Sequence, residues 1–147
     1  NEIGLPFYGT VTSEIGNGTI DAETVFWWLK QSDEARAEFE RTDVRYRTLS
    51  HALQEFSRWV LMVNASFIWS NGAAEDGVWL RQAYKRLGLT IPLDFRQNRC
   101  YRTIKNLHHR PGDEPRDEGA HHNAFRDATW QAQHLINMNA RVGGLIL

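Results

Sequence analysis

The sequence predicts an α/β fold, with short strands separated by longer helices. Two runs rich in aromatic and branched residues, 5–11 and 65–69, have the length and composition of strands. In residues 48–62, Leu49, Leu53, Phe56 and Val60 recur at three- and four-residue intervals, the mark of a helix with one buried face. Gly16-Asn17-Gly18 and Asn71-Gly72 follow the two strand-like runs as turn or stop signals.

After the first strand and its turn, Asp21 is a good N-cap for a helix over residues 22–31, with Ile20 in the staple position before it. Ser32 and Asp33 can cap a short second helix to Glu40. The one-sided helix of residues 48–62 comes next, followed by the buried strand 65–69. Residues 75–87 form a helix on which Asp76, Leu80, Ala83 and Leu87 share a face, and Gly88 supplies its stop. Asp76 is therefore expected in the first turn, on the inward side. Residues 100–107 fit either a strand or a short helix. Pro111, Gly112, Pro115 and Gly119 among alternating charges make residues 108–120 an irregular, mobile loop. A last helix covers residues 123–139 and ends at Gly143-Gly144. No internal repeat, low-complexity tract or linker divides the chain, so 1–147 reads as one domain.

Seventeen Lys and Arg against eighteen Asp and Glu give a net charge of -1, so no global field holds a polyanion and nucleic-acid binding must be local. Cys100 is the only cysteine, which excludes an internal disulfide and fits a reducing cytosol. No signal-like run opens the chain, and nothing approaches the roughly 18 apolar residues of a membrane span. The expectation is a soluble protein of the cytoplasm with no membrane partner. The sequence begins Asn1-Glu2-Ile3 without an initiator Met, which suggests a processed, truncated or partial polypeptide.

The most informative segment is His122-Asn123-Ala124-Phe125-Arg126-Asp127, an H-x-A-x-x-D pattern at the opening of a helix. His122 lies in the cap or the preceding loop. Asp127 lies one turn in, beside the small residues Ala124 and Ala128, which let the helix approach a sheet closely. Phosphodiester cleavage with two divalent ions uses carboxylates to hold the metals and a general base to take a proton from water. A neutral His on a loop suits the second task. The same pattern also reads as a helix cap followed by a first-turn acid favoured by the helix dipole.

The order of motifs narrows the choice. Trp27-Trp28-Leu29, Ser70-Asn71-Gly72-Ala73, Glu75-Asp76, Arg102-Thr103 and His122 to Ala128 follow one another along the chain. In this order they resemble the DEDDh 3′-5′ exonucleases of the RNase H-like superfamily, in the phage and bacterial branch similar to small 3′-5′ exoribonucleases. The resemblance covers essentially the whole chain. It implies an RNase H-like fold, a mixed sheet flanked by helices, and two Mg²⁺ or Mn²⁺ ions. It also implies Asp76 and Asp127 as metal-holding carboxylates and His122 as general base. Glu75 stands where the family usually has Phe, and Arg126 replaces an acid beside Asp127.

The family's Asp-x-Glu on a first, central strand has no counterpart here, and the likeness begins in what reads as the third strand. A central strand left out would leave buried donors and acceptors unpaired at about 1–3 kcal/mol each. Either the native chain is longer and carries that motif, or a second chain completes the sheet, or the fold has rearranged.

Other groupings have plainer readings. His108-His109, His121-His122 and Cys100 match no recognised zinc spacing and read as exposed imidazoles on a loop. Of the six tryptophans, Trp27, Trp59 and Trp69 are expected in the core, and Trp28 and Phe125 are candidate base-stacking contacts. Asn71 and Arg102 are further candidate nucleic-acid contacts. Lys105, Arg110 and Arg126 could join Arg102 in a phosphate-binding rim, and a solvated mixed-charge surface is the plain alternative. The acids of 113–118 read as a solvated loop.

The expected activity is metal-dependent hydrolysis of single-stranded RNA or DNA from its 3′ end, releasing nucleoside monophosphates, in a bacterial or phage-infected cell. The family is often dimeric, so a homodimer is a possible partner state. The alternative is a catalytically inactive remnant, for example phage-encoded, that acts by binding or inhibition.

Overall fold

The computed structural model describes residues 2–11, 19–37, 39, 47–115 and 123–144; within them the chain forms six α-helices and a sheet of two parallel strands. Helix α1, Ala22–Leu29, starts where the Asp21 carboxylate accepts from the Thr24 N–H at 2.7 Å and from the Thr24 hydroxyl at 2.8 Å. Helix α2, Asp33–Ala37, is short. Arg36 folds back to donate to the carbonyls of Leu29 and Gln31, which ties α2 to the end of α1.

Helix α3, Leu49–Met62, is capped by the Thr48 hydroxyl, which accepts from the His51 N–H, and it buries Ala52, Leu53 and Val60. Strand β1, Ile68–Ser70, runs parallel to β2, Asn98–Cys100, in the register Ile68 to Asn98 and Ser70 to Cys100. Parallel neighbours need a crossover, and α4, Asp76–Arg86, supplies it. Gly88 takes a left-handed φ of 65° just past that helix, a conformation that costs glycine little. A single 3₁₀ turn, Phe95–Gln97, then leads into β2. Helix α5, Tyr101–His108, follows β2 directly, and α6, Ala124–Arg141, closes the described chain.

The best-buried apolar cluster joins Tyr101 of α5 to Leu135 and Met138 of α6, with Trp69, Ile104 and Trp130 packed against it. It clamps α6 and α5 onto β1. Away from this cluster, Tyr84 of α4 is buried, and its hydroxyl donates to the Leu53 carbonyl at 2.8 Å and lies 2.7 Å from Ser57 Oγ. That contact ties α4 to α3.

Several expectations change. Residues 5–11 do not form a strand: Val11 makes an isolated parallel bridge to Arg47, and the segment lies on α3. Phe7 meets the rings of Phe56 and Trp59, and Trp59 Nε1 donates to the Leu5 carbonyl, so aromatic packing replaces a ladder. The sheet holds two parallel strands among the described residues, in place of the expected mixed one. Strand 65–69 is displaced to Ile68–Ser70, and the second helix is described over Asp33–Ala37, while its expected end at Glu40 lies outside the described residues. Residues 100–107 belong almost wholly to a helix, because only Cys100 continues the ladder. Trp27 is exposed rather than in the core, and α1 buries none of its residues. The turn at 16–18 lies outside the described residues.

Candidate active site

Parallel strands deliver their C-terminal ends to one edge of a sheet, and here that edge carries the turn after β1 and the start of α5. The turn is knotted around Gly72. Its carbonyl accepts from the N–H groups of Glu75 and Asp76 at 2.9 Å each, and its own N–H donates to Asp76 Oδ2 at 3.2 Å. Asn71 and Asp76 are exposed. The inward face of α4 runs through Gly77 and Tyr84, one position on from Asp76, so the expected inward placement of that carboxylate is corrected.

From the first turn of α5, just past β2, Arg102 reaches the same turn: Nη2 stands 4.0 Å from the point a side chain on Gly72 would occupy. Cys100 arrives beside it. The backbone of Ala73 bonds the thiol, and the Thr103 hydroxyl and N–H add to that, so its pKa is held below the ordinary thiol value.

The second half of the H-x-A-x-x-D pattern lies on α6. Asn123 is the N-cap, with Oδ1 accepting from the Arg126 N–H at 3.0 Å, and the Asp127 N–H donates to the Asn123 carbonyl at 2.9 Å. Asp127 is half-buried. It shares a helix face with Trp130 and His134, three and seven residues on, and that face packs toward β1 and α5. His122 lies outside the described residues. Phe125 is partly exposed, with its ring edge-on to Tyr8 at 5.8 Å. Trp28 is half-buried, edge-on to Phe39 and Trp27, in an open groove along α1 that also carries Asp21, Glu23 and Lys30.

A polar cluster occupies the middle of α6. His134 is fully buried, with Nδ1 2.8 Å from the Tyr101 hydroxyl and Nε2 3.3 Å from His109 Nδ1. Glu114 faces the far side of His109, 3.2 Å from Nε2. Asp113, also buried, receives two bonds from Arg141 Nε and one from its Nη2, and one from the Arg110 N–H at 2.8 Å. Burial, then the neighbouring His109, pushes the His134 pKa below its usual value, while Arg141 does the same for Asp113. Burial, then Glu114, pushes Tyr101 up to about 12. Among the described residues, His109, Asp113 and His134 are the group of three metal-donor side chains whose ligand atoms lie within 4.8 Å of one another.

The family model for the 3′-5′ exoribonuclease Rv2179c-like domain matches residues 1–138. The chain belongs to that family. A 3′-5′ exoribonuclease is a hydrolase of RNA, and the Rv2179c-like family implies an RNase H-like fold. Neither a curated protein nor a solved structure matches the sequence. No helix among the described residues is long and apolar enough to cross a membrane.

For an exoribonuclease domain of this family, the structure brings Asn71, Asp76 and Arg102 to one sheet edge and sets Asp127 near the start of α6. Neither Asp76 nor Asp127 belongs to a three-donor group among the described residues. The chain's sole Asp-x-Glu spacing, Asp21-Ala22-Glu23, is not on a strand: Asp21 caps α1. The reading of residues 108–120 as a mobile loop of exposed imidazoles is corrected over its described part, where His109 and Asp113 are anchored to α6. Sequence reasoning does not single out His134. Its signal was its place seven residues after Asp127, on the helix face toward the core.

Proposed function

We propose that this chain is a metal-dependent 3′-5′ exonuclease domain that removes nucleoside monophosphates from single-stranded RNA, with Asp76 and Asp127 among its metal-holding carboxylates. The observation that carries the reading is the match of the exoribonuclease family over residues 1–138, with an acid in the first turn of both α4 and α6. Carboxylates are hard oxygen donors that suit Mg²⁺ or Mn²⁺, so the two acids fit such ions in kind. Two acids are half of what two ions require. The reading therefore includes further carboxylates from another segment or a second copy of the chain, in one domain spanning the sequence.

In this reading His122, which precedes Asn123 in the sequence, takes a proton from the attacking water. That water adds to the terminal phosphorus, and the bond to the preceding 3′ oxygen breaks. A nucleoside 5′-monophosphate leaves, and the shortened strand keeps a 3′-hydroxyl. Bound ions supply neutralising charge at the attacking and leaving oxygens. Arg102 and Asn71, at the β1 edge, would hold the scissile phosphate, and the partly exposed ring of Phe125 would meet a terminal base. Trp28 is a weaker base contact, because Phe39 and Trp27 already hold its ring.

The test is release of mononucleotides from 3′-labelled oligoribonucleotides and oligodeoxynucleotides with Mg²⁺ or Mn²⁺. Asp127→Ala and Asp76→Asn should abolish release, and His122→Ala should lower it by about 10²–10⁴-fold. The rival is a binding or inhibitory role without catalysis. RNA capture without any release by the full-length protein, indifferent to Asp127→Ala, would favour that role and overturn the nuclease reading.

A further inference from the structure

The His109, Asp113 and His134 cluster stands apart from the two acids assigned to catalysis. His134 is seven residues along α6 from Asp127, about 10 Å at the rise of an α-helix. Its spacings differ from those of an ordinary hydrogen-bond chain. The facing nitrogens of His109 and His134 are 3.3 Å apart, longer than the usual 2.9–3.0 Å of a bond donated by N–H. Two nitrogens at zinc bond lengths of 2.0–2.1 Å and a tetrahedral angle stand about 3.3–3.4 Å apart. A carboxylate oxygen of Asp113 completes a trio within 4.8 Å, so modest closure makes a three-ligand face.

The surroundings are those of metal ligands as well. A ligating imidazole normally gives its other ring nitrogen to an acceptor, which fixes the tautomer and the ring plane. Both histidines have such a partner: Glu114 Oε1 at 3.2 Å for His109 Nε2, and the Tyr101 oxygen at 2.8 Å for His134 Nδ1. The Glu114 carboxylate keeps the His109 proton on Nε2 and leaves the Nδ1 lone pair facing inward. Metal binding then needs His134 to carry its proton on Nδ1, with the Tyr101 hydroxyl accepting, and both rings stay neutral. Asp113 is oriented by Arg141 and by the Arg110 N–H, and one lone pair of its Oδ1 remains beyond the Arg141 Nε bond.

We propose that His109, Asp113 and His134 bind one Zn²⁺ ion, which fastens the segment after α5 to the middle of α6. The imidazole pair and the lack of room for a large hydration shell around buried His134 favour Zn²⁺ over Mg²⁺ or Mn²⁺. Asp113 and Glu114 supply two negative charges to offset the ion beside the Arg141 guanidinium. The ion's role is structural: it holds in register the helix that carries Asp127.

The full chain, stripped by a chelator and dialysed, is titrated with Zn²⁺ alone and then with Co²⁺ as a visible reporter. One equivalent should bind, thermal stability should rise, and Co²⁺ should show the d–d bands of a tetrahedral nitrogen and oxygen site. His109→Ala, at a half-buried position, should weaken Zn²⁺ binding by more than about 100-fold, beyond the usual loss for a residue that only supports a ligand. His134→Gln should do the same, with circular dichroism reporting whether that variant folds. Asp127→Ala and Cys100→Ser should leave binding unchanged, which separates this site from the nuclease reading and from the thiol. Absence of micromolar binding by the stripped protein, or Zn²⁺ binding that survives His109→Ala, overturns the proposal even if His134→Gln fails to fold.

Discussion

Tyr101→Phe isolates one hydrogen bond at the centre of the molecule. The ring is buried against Leu135 and Met138, and the substitution keeps it. Only the hydroxyl 2.8 Å from His134 Nδ1 is lost. His134 has no exposed surface, so water cannot readily replace that partner, and a buried polar atom left without one costs about 1–3 kcal/mol. For a chain of this length the unfolding entropy is about 0.3 kcal/mol/K, so the melting temperature should fall by about 3–10 °C. Thermal and urea unfolding followed by circular dichroism measure it, with an unchanged urea slope showing that the folded state kept its compactness. The same substitution in a His134→Leu background should cost less by at least about 0.5 kcal/mol, because the nitrogen it orphans is gone. A loss below about 0.5 kcal/mol in the native background, or an equal loss in both, refutes the claim that this bond is buried and made.

Three further outcomes are expected. Asn123→Ala removes the side-chain acceptor at the start of α6 and should cost about 1 kcal/mol in urea unfolding, while Asn123→Asp should retain most of that. Alkylation of Cys100 against pH should give a midpoint below the ordinary thiol value of 9.0, and Thr103→Val should move it upward; an unshifted midpoint contradicts the bonding from Ala73 and Thr103. Stability should fall on acidification in two stages. The unfolded chain protonates His134 near 6.5 while the folded chain, with its pKa lowered, does not, so stability drops as pH passes below 6.5. The Asp113 contribution, present above the unfolded carboxylate value of 3.8, is lost further down as pH falls through its lower folded pKa. His134→Gln should remove the first stage and leave the second.

Helices were the legible part of this fold. Periodicity along Leu49, Leu53, Phe56 and Val60, the Asp21 cap and the Gly88 and Gly143 stops are local signals, and the helices formed where they pointed, with Thr48 and Asn123 as the caps of α3 and α6. Strand assignments fared worse. Residues 5–11 have strand composition, yet a strand needs a neighbour, and the segment found its partners in the rings of α3 instead. Cys100 to Leu107 could not be divided by pattern because the boundary between β2 and α5 depends on where pairing with β1 runs out.

Residue order alone determined the family, through motifs that occur in one sequence along the chain, and the resemblance carried by those motifs put forward Asp76, His122 and Asp127 as candidates. Only the tertiary structure decided that Arg102 and Cys100 meet the Gly72 turn, and that Asp76 is exposed while Gly77 and Tyr84 are the buried residues of α4. It alone joined His109 and Asp113 to His134, across 25 and 21 positions. Caps and periodicities act between residues a turn apart, so they are written in short stretches of sequence. Contacts between distant residues depend on how helices and strands pack, and no local pattern records which side chains that packing will bring within bonding distance.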